Sequence, residues 1–230
     1  METHITIYHG SKQIIESPAW GLGRKNNDFG LGFYCTESCD LAKEWAVSSL
    51  SDGFVNRYSL DTENLEVLNL NSPDYTILNW IAVLVEHRLF STRTPIAGRA
   101  KRYLIENCGI NVNAYDLITG YRADDSYFGF AEAFLNNTIT VEQLSRAMRL
   151  GKLGEQIVLK SQNAFSKITY EGFEIAEKDT YYVLRKSRND DANQAYLDIL
   201  EEENDGIYIQ DILRGGITND DPRIPRNISQ

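Results

Sequence analysis

Two glycines one residue apart, Gly30 and Gly32, interrupt the stretch Asp28-Phe29-Gly30-Leu31-Gly32-Phe33-Tyr34-Cys35-Thr36, and few local structures accept that spacing. Glycines so placed break a regular element and let the backbone turn sharply or approach another group closely. The β-favouring run Phe33-Tyr34-Cys35-Thr36 follows at once, and Leu41-Ala42-Lys43-Glu44-Trp45-Ala46 reads as the first turns of a helix. The stretch predicts a glycine turn, a short strand and a helix start, with Tyr34 at a strand mouth facing a cleft. A tight turn around a buried tyrosine has the same local pattern, so the stretch becomes a site only if partners exist elsewhere in the chain.

The length of 230 residues is enough for one sizeable core, and no repeat, low-complexity segment or linker divides the chain. A single domain over residues 1–230 is therefore expected. Asp and Glu outnumber Lys and Arg by 33 to 23, a formal net charge of -10, which repels phosphate backbones and disfavours a nucleic-acid partner. A small anionic cofactor held by a few groups remains compatible with that balance. Three cysteines (Cys35, Cys39 and Cys108) and a strand-like start at Ile5-Thr6-Ile7-Tyr8 in place of a basic, apolar leader predict reduced thiols and a cytoplasmic setting. The three histidines (His4, His9 and His87) have no metal-ligand spacing with the cysteines, so no metal site is expected. No apolar run reaches the roughly 18 residues of a membrane helix.

Ile5-Thr6-Ile7-Tyr8-His9-Gly10 alternates β-branched residues and delivers His9 to a strand tip; taken by itself, His9 reads first as a satisfied core or surface histidine. Residues 11–30 read as a loop beside the Tyr34 turn. A helix over about 40–49 precedes two strand-like runs, Phe54 to Leu60 and Leu65 to Leu70, whose short connection predicts a hairpin. Tyr75 to Phe90 reads as a buried helix with Leu78, Ile81, Ala82, Val85 and Leu89 on one stripe, and 97–107 as another helix. Tyr115 to Tyr121 is a strand, followed by helices near 127–135 and 140–149, the second capped by Thr140. Asp124-Asp125 is either an acid–base pair or a helix cap beside a solvated carboxylate. Glu155-Gln156-Ile157-Val158-Leu159 and Ile168 to Ile175 are strands, and Tyr181 to Glu203 is a long charged helix. Gly206 to Ile212 reads as a final edge strand, and the tail from about Thr218 as poorly ordered.

His9-Gly10, Phe29-Gly30-Leu31-Gly32-Phe33-Tyr34 and Glu155-Gln156-Ile157-Val158-Leu159 thus stand on strand ends far apart in sequence. In order and flanks they resemble the three motifs of the ADP-ribosyltransferase superfamily, in its His-Tyr-Glu branch with the poly-ADP-ribose polymerases and diphtheria toxin. The chain is also similar to a bacterial family of unassigned function with toxin-like members. The resemblance implies an α+β fold: a split, mostly antiparallel β-sheet pair around an NAD cleft, here with a helical insertion at about 73–150.

The resemblance further implies NAD as co-substrate and His9, Tyr34 and Glu155 or Gln156 as catalytic residues. His9 would bond the adenosine ribose, the Gly10 backbone the nicotinamide carboxamide, and Tyr34 would stack on the nicotinamide ring with Trp45 on its other face. Ser11 and Phe33, beside these groups in the same motifs, are expected to bind the cofactor too, and Arg24, Asn26 and Asn27 are placed to reach the pyrophosphate. Neighbours on a strand face opposite sides, so only one of Glu155 and Gln156 can point into the cleft. Glu155 is the expected acid by the polymerase-like alignment, and Gln156 the inward group after a one-residue shift. The expected function is mono-ADP-ribosyl transfer to a protein in a toxin-like role, with an antitoxin or immunity protein as partner. The alternatives are an NAD glycohydrolase, an inactive NAD- or partner-binding module, or a cysteine enzyme pairing Cys35 with His9.

Overall fold

The structure, a computed structural model, describes residues 3–90, 94–123, 125–150, 154–202 and 205–227, with the backbone alone at 125 and 126. The fold is α+β. Strands β1 (His4–Ser11), β3 (Gly53–Asp61) and β7 (Ile168–Ala176) form an antiparallel sheet in the order β1-β3-β7. A second sheet has the order β2-β6-β5-β4, built from β2 (Phe33–Cys35), β6 (Glu155–Leu159), β5 (Leu117–Tyr121) and β4 (Val67–Asn69). Only its β4–β5 pairing is parallel. The sheets are stitched where β1 meets the end of β2: the Tyr8 N–H donates to the Thr36 carbonyl at 2.8 Å and the Thr36 N–H to the Tyr8 carbonyl at 3.0 Å. Beyond that stitch they diverge, which leaves an opening beside His9 and Tyr34.

Three apolar clusters hold this arrangement. Ile7, Tyr58, Leu60, Leu117, Ile157 and Leu159 interdigitate between the sheets. The largest cluster lies on the other side of the second sheet, around helix α2 (Ile77–His87), in which every residue from Ile77 to Val85 is buried. Its start is set by a capping box of Thr76 and Asn79, and packed around it are α3 (Pro95–Cys108), α4 (Asp125–Leu135) and α5 (Val141–Ala147). Thr140 caps α5 through Gln143, as its position before the apolar run predicts. The third cluster is small: Ala42 and Ala46 of α1 (Cys39–Ala46) lie on Val55 and Ala176. No helix among the described residues is long and apolar enough to cross a membrane.

Several expectations need correction. Leu65 to Leu70 makes no hairpin with the preceding strand, because both edges of β3 are already taken by β1 and β7; the run contributes only the short β4, paired with β5. The strand expected at Tyr115 to Tyr121 within the otherwise helical insertion is present as β5, which runs between β4 and β6. Helix α2 stops at His87, leaving Leu89 exposed. Gly206 to Ile212 is not an edge strand: after one bridge to Thr140 it enters helix α8 (Ile209–Gly215), where Asp211 accepts from the Tyr208 N–H at 3.1 Å and Ile209 and Ile212 are buried. The tail through residue 227 is packed, with Ile224 and Asn227 buried and the Asn227 side chain donating to the Leu70 carbonyl at 2.6 Å. Asp124 lies outside the described residues, as does the side chain of Asp125, so the acid-pair expectation falls outside them too.

After the short helix α6 (Gln162–Ser166) between β6 and β7, helix α7 (Lys178–Glu201) crosses α1 and is fastened there by a buried charge. Glu44 receives the Arg188 guanidinium on both oxygens, at 2.8 and 3.2 Å, with its own side chain 4% exposed. Replacing Arg188 by alanine strands that carboxylate. A loss of about 3 kcal/mol is expected, the low end for a broken buried pair because the guanidinium is partly solvated. Urea unfolding reads it, and a Glu44→Met/Arg188→Met double variant should recover most of the loss.

Candidate functional site

Chain segments remote in sequence meet at the mouth between the sheets, around a cavity of about 290 Å³. Its wall comprises His9 and Gly10 from β1, Asn27, Asp28 and Tyr34 from the glycine turn and β2, and Trp45 from α1. Gln156 is the second residue of β6, Arg122 and Ala123 follow β5, Arg88 follows α2, and Arg185 reaches in from α7.

His9 is fixed on two sides. Its Nδ1 lies 2.7 Å from the Tyr34 carbonyl, and its ring stacks on Phe33 with centroids 4.3 Å apart. A carbonyl only accepts, so Nδ1 carries the proton. Burial lowers the imidazole pKa against the opposing pull of that bond, which keeps the ring neutral and leaves Nε2 an acceptor. Next along the strand, Gly10 has its main chain on the cleft edge. Tyr8 turns its N–H and C=O toward Thr36, and by the two-residue alternation of a strand Gly10 points its own pair the same way, past the end of the stitch. The missing side chain has a separate cause: a Cβ at Gly10 would sit 2.0 Å from the Ala42 carbonyl oxygen of α1.

Tyr34 presents its ring to the cavity and ties its hydroxyl behind it, accepting from the Phe29 N–H at 3.0 Å and donating to the Gly30 carbonyl at 2.6 Å. Burial raises its pKa, so the phenol stays protonated and serves as a surface rather than a base. The turn is held from below by Lys160, whose Nζ lies 2.7 Å from both the Phe29 and Leu31 carbonyls. Burial brings that lysine down to about 8. Gly30 needs its positive φ of 74°, with the His87 ring directly underneath.

On β6 the strand alternation resolves the choice between neighbours. Glu155 shares the face of Ile157 and Leu159, and at the strand's first position that face opens to solvent; Gln156 is buried and lines the cavity. The inward late-strand group is therefore the amide, and the expectation that Glu155 points into the cleft is corrected. Gln156 Nε2 donates to Asp28 Oδ2 at 2.8 Å and to the Tyr121 carbonyl at 3.2 Å. Both partners accept, which fixes the amide orientation and turns Oε1 toward the cavity.

Asp28 is a further group at the cavity, and no local pattern in the sequence marks it as one. Only 4% exposed, it accepts on Oδ2 from the Ala123 N–H at 2.9 Å as well as from Gln156, and its Oδ1 lies 3.6 Å from Arg88 Nε. Burial raises its pKa, opposed by the Ala123 N–H, by Arg88 and by Gln156. Arg88, Arg122 and Arg185 are likewise unmarked. They make the cavity locally cationic within a chain of net charge -10. The available signal was position: Asp28 begins the glycine stretch and Arg122 stands at the tip of a strand.

The remaining expected contacts divide. Trp45 lines the cavity, but the Arg122 guanidinium carbon already lies 4.5 Å from its ring centroid, so the indole carries a cation instead of standing open opposite Tyr34. Asn27 lines the cavity, whereas Asn26 borders a neighbouring hollow with Arg88, Leu89 and Phe128. Arg24 is exposed and away from the cavity wall. Phe33 supports His9 from the core side, and Ser11 is engaged with Asn56 at 3.3 Å and with Gln13; neither lines the cavity. Cys35 is buried with its thiol pKa pushed well up, which leaves no thiolate for a cysteine mechanism.

No curated protein and no solved structure matches the chain. A family model described as a protein of unknown function, DUF3990, matches residues 5–170, a span holding His9, Asp28, Tyr34 and Gln156 but ending before Arg185. Since that span is well over half the chain and takes in the whole second sheet, with β3, nearly all of β1 and the start of β7 from the first, the protein belongs to the DUF3990 family.

Proposed function

We propose that this chain is an NAD-dependent mono-ADP-ribosyltransferase of toxin-like character, acting on a protein acceptor. The observation that carries the reading is the convergence of His9, Tyr34 and Gln156, from three separate strands, on one cavity lined by three arginines. Their order is that of the ADP-ribosyltransferase motifs, and the histidine and tyrosine match in type as well. In such a reaction the bond between ribose C1′ and the nicotinamide nitrogen breaks, and its electron pair leaves with nicotinamide. An acceptor nucleophile then bonds to C1′ and loses its proton. The protein must hold the leaving group, fix the ribose and favour positive charge at C1′.

The groups on the cavity suit those tasks. Gly10 offers a main-chain donor and acceptor for a carboxamide, the Tyr34 ring a flat surface for nicotinamide, and neutral His9 an acceptor for a ribose hydroxyl. The arginines complement a pyrophosphate, with Arg185 the one brought by α7. A second reading, NAD binding without turnover, is favoured by the amide that stands where the resemblance leads one to expect a carboxylate.

Two measurements on the whole chain decide between them. Calorimetric titration with NAD is expected to show binding, and chromatography to show nicotinamide release, accelerated by an acceptor labelled in lysate with tagged NAD. Binding without release supports the second reading, release without labelling a glycohydrolase, and no binding sinks the proposal. Arg185→Ala is expected to weaken NAD about tenfold, equivalent to about 1.4 kcal/mol. Free nicotinamide, which has no phosphate, should bind the variant and the wild type alike.

A further inference from the structure

We propose that Asp28 is the positioning residue for Gln156, and that the two act as one unit: the amide oxygen meets the ribose hydroxyl while the buried carboxylate behind it supplies the negative charge. This rests on the reading of the cavity as an NAD site and assigns the charge that Glu155 does not bring to it.

The geometry leaves Gln156 little freedom. Its two amide protons are taken by Asp28 Oδ2 at 2.8 Å and the Tyr121 carbonyl at 3.2 Å, so only Oε1 remains to meet a ligand. An oxygen in that position accepts, which selects a hydroxyl donor such as a ribose 2′-OH. Asp28 in turn is surrounded by groups suited to a carboxylate. The Ala123 N–H and the Gln156 amide donate to Oδ2, and Arg88 is the nearest cation to Oδ1. Among the described residues Oδ1 itself accepts no hydrogen bond, although it is buried. An ionised acid packed without a full set of donors on both oxygens costs stability. Its place one hydrogen bond from a cavity-lining amide gives that cost a use: a fixed negative charge where a cation develops on the sugar.

The arrangement separates two jobs that a single glutamate would combine. Contact and orientation fall to the amide, and charge to the carboxylate. Moving the charge forward should therefore restore what neutralising Asp28 removes. Asp28→Asn keeps an oxygen for Ala123 and Gln156 but removes the charge. Gln156→Glu sets two carboxylates at hydrogen-bond distance, so that one must take up a proton. Asp28→Asn/Gln156→Glu has a single carboxylate again, now at the cavity.

Two readouts test this. Proton exchange of the Gln156 side-chain amide, followed by NMR, should be slowed at least about tenfold against exposed glutamines in the wild type and in Asp28→Asn. That protection should be lost in Asp28→Ala. Unprotected protons in the wild type, or protection unchanged in Asp28→Ala, overturn the positioning role. In nicotinamide release, Asp28→Asn should lower kcat about 100-fold with KM within about threefold, the size of one lost electrostatic stabiliser. The double variant should regain at least about tenfold over Asp28→Asn. Wild-type kcat in Asp28→Asn, or a double variant no better than either single one, overturns the charge role. A wild-type protein that releases no nicotinamide defeats the transferase reading and the charge role together, and the exchange measurement then decides the positioning role alone.

Discussion

Nicotinamide release is expected to fall by about 1,000-fold in Gln156→Ala and to stay within about twofold in Glu155→Ala, although the two positions are adjacent. The contrast follows from strand geometry. Gln156 is 3% exposed and lines the cavity, whereas Glu155 faces solvent on the opposite side of β6. Truncating Gln156 removes one of the cavity's hydroxyl acceptors and also leaves the Asp28 carboxylate without its 2.8 Å partner. Loss of that one donor, with the Ala123 N–H and Arg88 still in place, adds a stability loss of about 1–3 kcal/mol, to be measured separately by thermal unfolding so that kcat is compared between folded proteins. Truncating Glu155 removes one exposed charge and no described bond of the site. Activity that tracked Glu155 and ignored Gln156 would show that the strand turns over when substrate binds, with the carboxylate and not the amide meeting the ribose.

Which of Glu155 and Gln156 faces inward is not legible in the sequence around them, although much else is. The glycine stretch, the order of the motifs and the helix at 77–87 follow from local preferences: glycine where φ is positive, β-branched runs, a threonine before an apolar helix. Which face of a five-residue strand looks inward depends on the sheet behind it. Ile157 and Leu159 fill the space against Ile7 and Tyr58, which forces Val158 and Gln156 to the other side. That is information about strands about 150 and about 100 residues away in the chain, β1 with Ile7 and β3 with Tyr58, and no window around β6 contains it. The same limit explains β4, whose composition is that of a hairpin strand but whose neighbour was decided by the occupied edges of β3. The arginines escaped for a related reason. Arg88, Arg122 and Arg185 stand after a helix, after a strand and inside a helix, with no common spacing, and only the fold makes them neighbours. Asp28 was visible as a residue but not as a buried one.

The largest expected effect on stability comes from a methyl group. Helix α1 approaches the first sheet so closely that two glycines receive it: a Cβ at Gly10 would meet the Ala42 carbonyl oxygen at 2.0 Å, and one at Gly53 the Ala46 carbonyl oxygen at 2.2 Å. Neither obstacle is the end of a flexible side chain. To admit alanine at position 10, the helix backbone has to move by about 1 Å, and it carries Trp45 on the cavity wall and Glu44 in its buried pair with Arg188. Gly10→Ala is therefore expected to cost at least about 3 kcal/mol, the upper range for overpacking, and to lower the melting temperature by about 10 °C. Gly129→Ala, in the exposed interior of α4 with nothing within 4 Å of the new methyl, should instead gain about 1 kcal/mol by restricting the unfolded chain and favouring helix. The comparison bears on function as well. The His9-Gly10 pair resembles a ligand-binding motif, yet its glycine is already required by the packing of α1. If Gly10→Ala melts with the wild type while losing NAD, the glycine serves the ligand alone; if it melts early, the packing of α1 is reason enough for its presence, and His9 must be judged by its own substitution.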